Sequence, residues 1–202
     1  MSVGSMAPAG TLSVKKVGTQ KAPLAWRIRN TLRPAYIWGW LAHVMGHLYT
    51  RFFGNPVLLG ALYIRVRRAD GRVIDYGCAG RRVVTTAYVQ LLCDELQTSV
   101  AAHSTFKYHA VGTGNTAEAI GDTSLVTEVE TRATGTQAEN AANIYESVGT
   151  VTATGARAIV EHGVFSASTV GTLLDRTVFS VVNLASGDSI QCTYRLTLTA
   201  GS

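Results

Sequence analysis

Tyr194-Arg195-Leu196-Thr197-Leu198-Thr199 alternates side to side, which is the period of a half-buried β-strand. It closes a run, residues 107–201, of short strand-like segments cut by Gly, Thr, Asn and Asp. Within that run, residues 143–152, 158–165, 172–183 and 189–199 read as strands. Turns at Thr154-Gly155, residues 168–171 and Ser186-Gly187-Asp188 separate them. That spacing belongs to sandwiches and jelly rolls. The third segment carries Val178, Phe179, Val181 and Val182 almost without interruption, so it is expected to be covered on both faces. The fold class is therefore mainly β: a β-sandwich or jelly-roll-like domain with an N-terminal extended arm and one or two helices.

Working outward, Tyr63-Ile64-Arg65-Val66-Arg67 and Arg72-Val73-Ile74-Asp75-Tyr76 flank Asp70-Gly71, a pair that tolerates the positive φ of a tight hairpin turn. Residues 77–80 read as a loop. Thr85-Thr86 supplies a helix cap, and Tyr88, Leu91, Leu92, Leu96 and Val100 keep helical spacing after it. Further upstream, Ile37, Trp38, Leu41, Val44, Met45, Leu48 and Phe52 recur at three- and four-residue steps, and Gly54-Asn55-Pro56 stops them. That segment falls short of the roughly 20 apolar residues of a membrane span. It reads as an amphipathic helix lying on the sandwich or on a neighbouring subunit. Three regions result: residues 1–34 as an extended basic arm, 35–60 as an amphipathic helix and linker, and 61–202 as the sandwich with one helix near 86–100.

Only 15% of the 202 residues are charged, which suits a β protein that covers much of its surface with other protein. The net charge of +5 conceals a polarity: residues 1–72 hold eleven Lys or Arg and one acid, residues 73–202 seven bases and twelve acids. A front half this basic is suited to an acidic partner, either an anionic protein surface or, less favoured, nucleic acid touched by the arm. The interface candidates are Trp26, Arg27, Arg29, Arg33, Tyr36, Trp38, Trp40 and Tyr49, aromatic anchors interleaved with cations. Cys78, Cys93 and Cys192 form no C-x-x-C pair and read as small buried thiols.

No catalytic constellation is apparent. His109, His162, Asp175 and nearby Ser166 or Ser168 lack a nucleophile elbow. With Glu161 and Arg176, the two histidines and Asp175 read instead as a buried structural network, in which Arg176 pairs with Glu161 or Asp175. Gly112-Thr113-Gly114 has no Lys-Ser/Thr after it and reads as a turn rather than a phosphate loop. Glu118, Asp122, Glu128 and Glu130 match no calcium loop, and His43 and His47 lack a third ligand. Neither a cofactor nor a metal is implied.

Several short motifs in order carry a resemblance. They are Phe106-Lys107-Tyr108-His109-Ala110-Val111-Gly112-Thr113-Gly114, Thr116-Ala117-Glu118, Leu125-Val126-Thr127-Glu128, Gly135-Thr136-Gln137 and Tyr145-Glu146-Ser147-Val148-Gly149-Thr150. Glu161-His162-Gly163-Val164-Phe165, Leu174-Asp175-Arg176-Thr177 and Gly187-Asp188-Ser189-Ile190 follow. Over residues 62–202 the chain resembles virion structural proteins of tailed double-stranded DNA phages, a group that includes capsid cement or decoration subunits and tail-associated proteins. The resemblance implies a non-enzymatic protein of the virion, assembled in the host cytoplasm; the alternative expectations are a tail, neck or fibre-associated structural protein or a receptor- or carbohydrate-binding sandwich. Its implied partners are the major capsid protein, copies of itself and other virion proteins, with no membrane. The first 60 residues depart from the group. If they serve only for docking, removing residues 1–55 leaves a folded sandwich.

Overall fold

The computed structural model describes residues 18–53, 57–82, 84–97 and 105–199. It is mainly β: ten strands in two sheets with three helices. Most of the expected arm (residues 1–17) lies outside the described residues, as do the turn at 54–56 and the end of the helix expected near 86–100.

Strand β1 (Thr19–Lys21) is followed by α1 (Leu24–Thr31), α2 (Pro34–Phe53), β2 (Val57–Arg67), β3 (Val73–Arg82) and α3 (Thr86–Gln97). Then come β4 (Tyr108–Gly112), β5 (Glu128–Thr134), β6 (Thr136–Ala141), β7 (Ile144–Thr152), β8 (Arg157–Phe165), β9 (Leu173–Leu184) and β10 (Ser189–Thr199). The larger sheet runs β1-β3-β2-β10-β7-β6, and the smaller runs β5-β4-β8-β9. Leu62, Ile64, Val66, Ile190 and Cys192 from the first meet Ile159, Phe179 and Val182 from the second in the main core. Tyr194 and Leu196 sit fully inside, as the alternation at the chain's end requires, while Leu198 reaches solvent.

The Asp70-Gly71 turn joins β2 to β3, with Gly71 at φ +86°. Residues 77–80 are not a loop. They continue β3, which absorbs Gly77 at φ +70° through irregular register against β2. Thr85 caps α3, accepting the Tyr88 N–H at 3.2 Å. Its own hydroxyl donates to the Leu173 carbonyl at 2.6 Å, which ties the helix to β9.

β9 is the last strand of its sheet, yet it is buried along nearly its whole length. An uncovered edge would leave a row of unpaired backbone groups. Here α1 covers part of it, which corrects the expectation of an extended arm up to residue 34. Asn30, 1% exposed, donates to the Ala79 carbonyl on β3 and accepts the Ser180 N–H on β9, each at 2.9 Å. Trp26 Nε1–H is shared between the Ser180 and Val181 carbonyls at 3.0 and 2.9 Å, and its ring meets Tyr76 edge to face at 4.7 Å. Two side chains of one eight-residue helix thus bridge β3 of one sheet to β9 of the other.

Candidate interaction surface

His109, His162 and Asp175 are sealed inside, whereas Ser166 is half-buried and Ser168 exposed. His109 Nδ1 lies 2.9 Å from His162 Nε2, and His109 Nε2 lies 2.8 Å from Ser147 Oγ. All three are 0% exposed. Ser147 comes from β7 of the large sheet and the imidazoles from β4 and β8 of the small one, so the chain of hydrogen bonds fastens the two layers together. Burial holds His109 down to about 4 and His162 well below its ordinary value, so both rings are neutral. Gly135 and Gly149 press on the His109 ring so closely that a Cβ would lie 2.8 and 2.4 Å from it. A serine beside two imidazoles looks like a proton relay. Shut in by backbone on both sides, it offers a substrate no approach from solvent.

Glu161 and Arg176 form a second buried network. Arg176 Nε donates to Glu161 Oε2 at 2.8 Å, Nη1 to Asp122 at 3.0 Å and Nη2 to the Thr116 carbonyl at 3.0 Å. Glu161 also accepts the backbone N–H groups of Gly114, Thr127 and Val126 at 2.9, 2.8 and 3.1 Å. The Gly112-Thr113-Gly114 stretch therefore serves close approach rather than a turn. A Cβ on Gly112 or Gly114 would fall 2.4 or 2.6 Å from Glu161 Oε1, and neither glycine has positive φ. Asp175 stays apart from Arg176 and accepts the Thr177 hydroxyl at 2.8 Å.

The acids weighed as a cation site are engaged by protein instead. Glu128 binds Arg132 at 2.7 Å, Glu130 binds Arg157 at 2.8 Å, and Glu118 accepts the Val178 N–H. Among the described residues no three His, Cys, Asp or Glu side chains converge as a metal site would need. Of the basic hairpin, Arg68 is held by Asp188 at 2.7 Å and Arg72 by Asp70 at 2.6 Å, while Arg65 and Arg67 are exposed. Cys192 is buried and Cys78 half-buried, but Cys93 is exposed on α3, against expectation.

The longest run of exposed apolar side chains is on α2. Pro34, whose fixed φ suits a first helical position, starts the helix. At about 100° per residue, Tyr36, Gly39, His43 and Gly46 share one side, which faces β3 and β2. Gly39 is buried, the Tyr36 hydroxyl reaches the Cys78 thiol, and His43 is held neutral at about 4, by burial first and by Arg81 second. The opposite half of the circumference carries Ile37, Trp38, Trp40, Val44, Met45, Leu48 and Tyr49, all exposed. Trp38 is 69% exposed and Met45 60%. The helix is inverted: its small and polar residues face its own sheet, and its large apolar residues face out. No helix among the described residues is long and apolar enough to cross a membrane.

The interface candidates therefore divide. Trp38, Trp40, Tyr49, Arg27 and Arg29 lie on the surface. Arg33 and Tyr36 are half-buried, and Trp26 is committed to its own chain. Ile37, Val44, Met45 and Leu48 belong to the exposed face as well. Their spacing gave the helix but not which side of it meets the sheet. Comparison with known proteins found no matching family model, no matching curated protein and no matching solved structure.

Proposed function

We propose that this chain is a non-enzymatic structural subunit of a tailed-phage virion, a capsid cement or decoration protein that docks through the outward face of α2. The single observation carrying the docking role is the inverted helix. A monomer that had to face water alone would gain by turning Trp38, Met45 and Tyr49 inward, since each such buried side chain contributes on the order of 2 kcal/mol. Trp38, Met45 and Tyr49, within about 40° of one another around the helix, form a contiguous exposed stripe with the composition of an interface core. The virion setting rests on the ordered motifs of residues 62–202. The enclosure of His109, His162 and Ser147 supports a scaffold role for that network.

Truncation at residue 55 is not a clean test, because it also removes Asn30 and Trp26 from the gap between β3 and β9. Point changes on the outer face avoid this. In purified particles the intact chain is expected at hundreds of copies, and Trp38→Ser/Trp40→Ser should be excluded while folding normally. A dozen copies or fewer would move the protein to the neck or tail. Normal occupancy by the variant would end the docking role.

A further inference from the structure

A surface that fits the outward face of α2 is present on the same chain. Away from β3 and β2, which carry α2, strands β6 and β7 and the end of β10 form an open, mainly apolar groove of about 760 Å³. Ala138, Ile144, Tyr145 and Leu198 supply its walls, and Glu139 stands on its rim. Leu198 is 45% exposed, so this floor is as unsatisfied as the helix. A volume of this size lies in the range that receives bulky apolar groups.

Charge points the same way. Residues 24–53, which comprise both N-terminal helices, hold four arginines and no acid. Residues 133–156, which include the groove, hold two acids and no base. Glu146 is taken by Arg195 at 2.6 Å, whereas Glu139 makes no ion pair among the described residues. A cationic aromatic N-terminal segment and an apolar groove with an acidic rim are complementary, and they lie on different strands of one sheet, α2 on β3 and β2 and the groove on β6, β7 and β10.

We infer that the groove receives α2 of a second copy of this chain, with Trp38 and Met45, neighbours on one helix face, as anchors and Arg27 or Arg29 facing Glu139. Contacts of this helix-to-groove kind link unlike surfaces, so they propagate from copy to copy and close into a ring or another symmetric assembly. The inference rests on reading α2 as a docking element and adds the identity of the dock.

The test uses the full chain and two variants confined to exposed positions: a helix variant, Trp38→Ser/Trp40→Ser, and a groove variant, Ala138→Arg/Leu198→Arg. Met45→Glu serves as a second helix variant should the first lose its fold by circular dichroism. Sedimentation velocity at about 100 μM should find the wild type associated and each variant alone at least tenfold weaker. Mixed in equal amounts, the two variants should form a one-to-one heterodimer, since one brings an intact groove and the other an intact helix. A monomeric wild type, or variants that fail to pair on mixing, would overturn the inference. So would a monomer whose helix is captured by anionic phospholipid vesicles, which would assign the face to lipid. A groove variant that still enters particles while the helix variant is excluded overturns the second-copy dock and leaves the docking role of α2 standing.

Discussion

The Glu161–Arg176 network and the outer face of α2 are built on opposite terms. Inside, a carboxylate and a guanidinium at 1% side-chain exposure or less collect five further hydrogen bonds from loops and strands, so the charges are matched where they stand. Outside, seven large apolar side chains stand between 36% and 69% exposed. A polar group deprived of water must be paired within the chain, because an orphaned one costs about 1–3 kcal/mol or more. An apolar group left in water forgoes a gain without breaking the fold, so it can wait for a partner. The polar interior of the small sheet thus contributes to stability, and the proposed association falls to the helix laid on the large one.

The sharpest way to break that division is Glu161→Ala. Arg176 would keep Asp122 but lose its closest partner in a dry site, and the three N–H groups would lose their acceptor. Removing one member of a buried pair typically costs about 3–5 kcal/mol. Chemical denaturation should register a loss of that order, with association of the surviving folded chain unchanged.

Acid acts next. His109 titrates near 4 when folded and near 6.5 when unfolded, because burial disfavours its charged form. The unfolded chain therefore binds protons that the folded chain refuses. Stability is full above about 6.5 and falls as pH drops toward 4, by roughly 3 kcal/mol for His109 alone. His162 adds to the loss in the same direction. Thermal melts from pH 7.5 to 4.5 should show this decline, and a His109→Phe/Ser147→Ala variant that still folds should lessen it, leaving the share of the buried His162.

Much of the fold could be read from residue order, for identifiable reasons. Strands with one wet face carry a two-residue period, which Tyr194 to Thr199 displays, and Asp70-Gly71 announces its turn chemistry locally. Thr85 announces its cap in the same way. Helix α1 gave no such signal. Eight residues with Trp26, Ile28 and Arg29 spaced nearly alternately look extended, and what holds them helical is distant: Asn30 on Ala79 and Ser180. The glycines at 77 and 80 suggested a loop because their role depends on neighbours. Gly80 stays bare since Thr177 Cγ2 would lie 2.4 Å from its Cβ. The network residues were named in advance, but not Ser147 or Asp122, nor the separation of Asp175 from Arg176. Strand register decides those, and register is a property of pairs. The helix on residues 34–53 was legible, and its inversion was not, although Gly39, His43 and Gly46 on one side allow the backbone to approach the sheet.

The smallest effect on stability should come from the most conspicuous side chains. Trp38→Ala/Trp40→Ala is expected to change unfolding free energy by no more than about 0.5 kcal/mol, as surface substitutions do. Oxidative footprinting of Trp38, Trp40 and Met45, read by mass spectrometry in the dilute chain and again in its assembled state, tests the central claim directly. All three should be oxidised readily when dilute and protected on assembly. Protection already present in the dilute monomer, or reactivity that persists in the assembly, would contradict it.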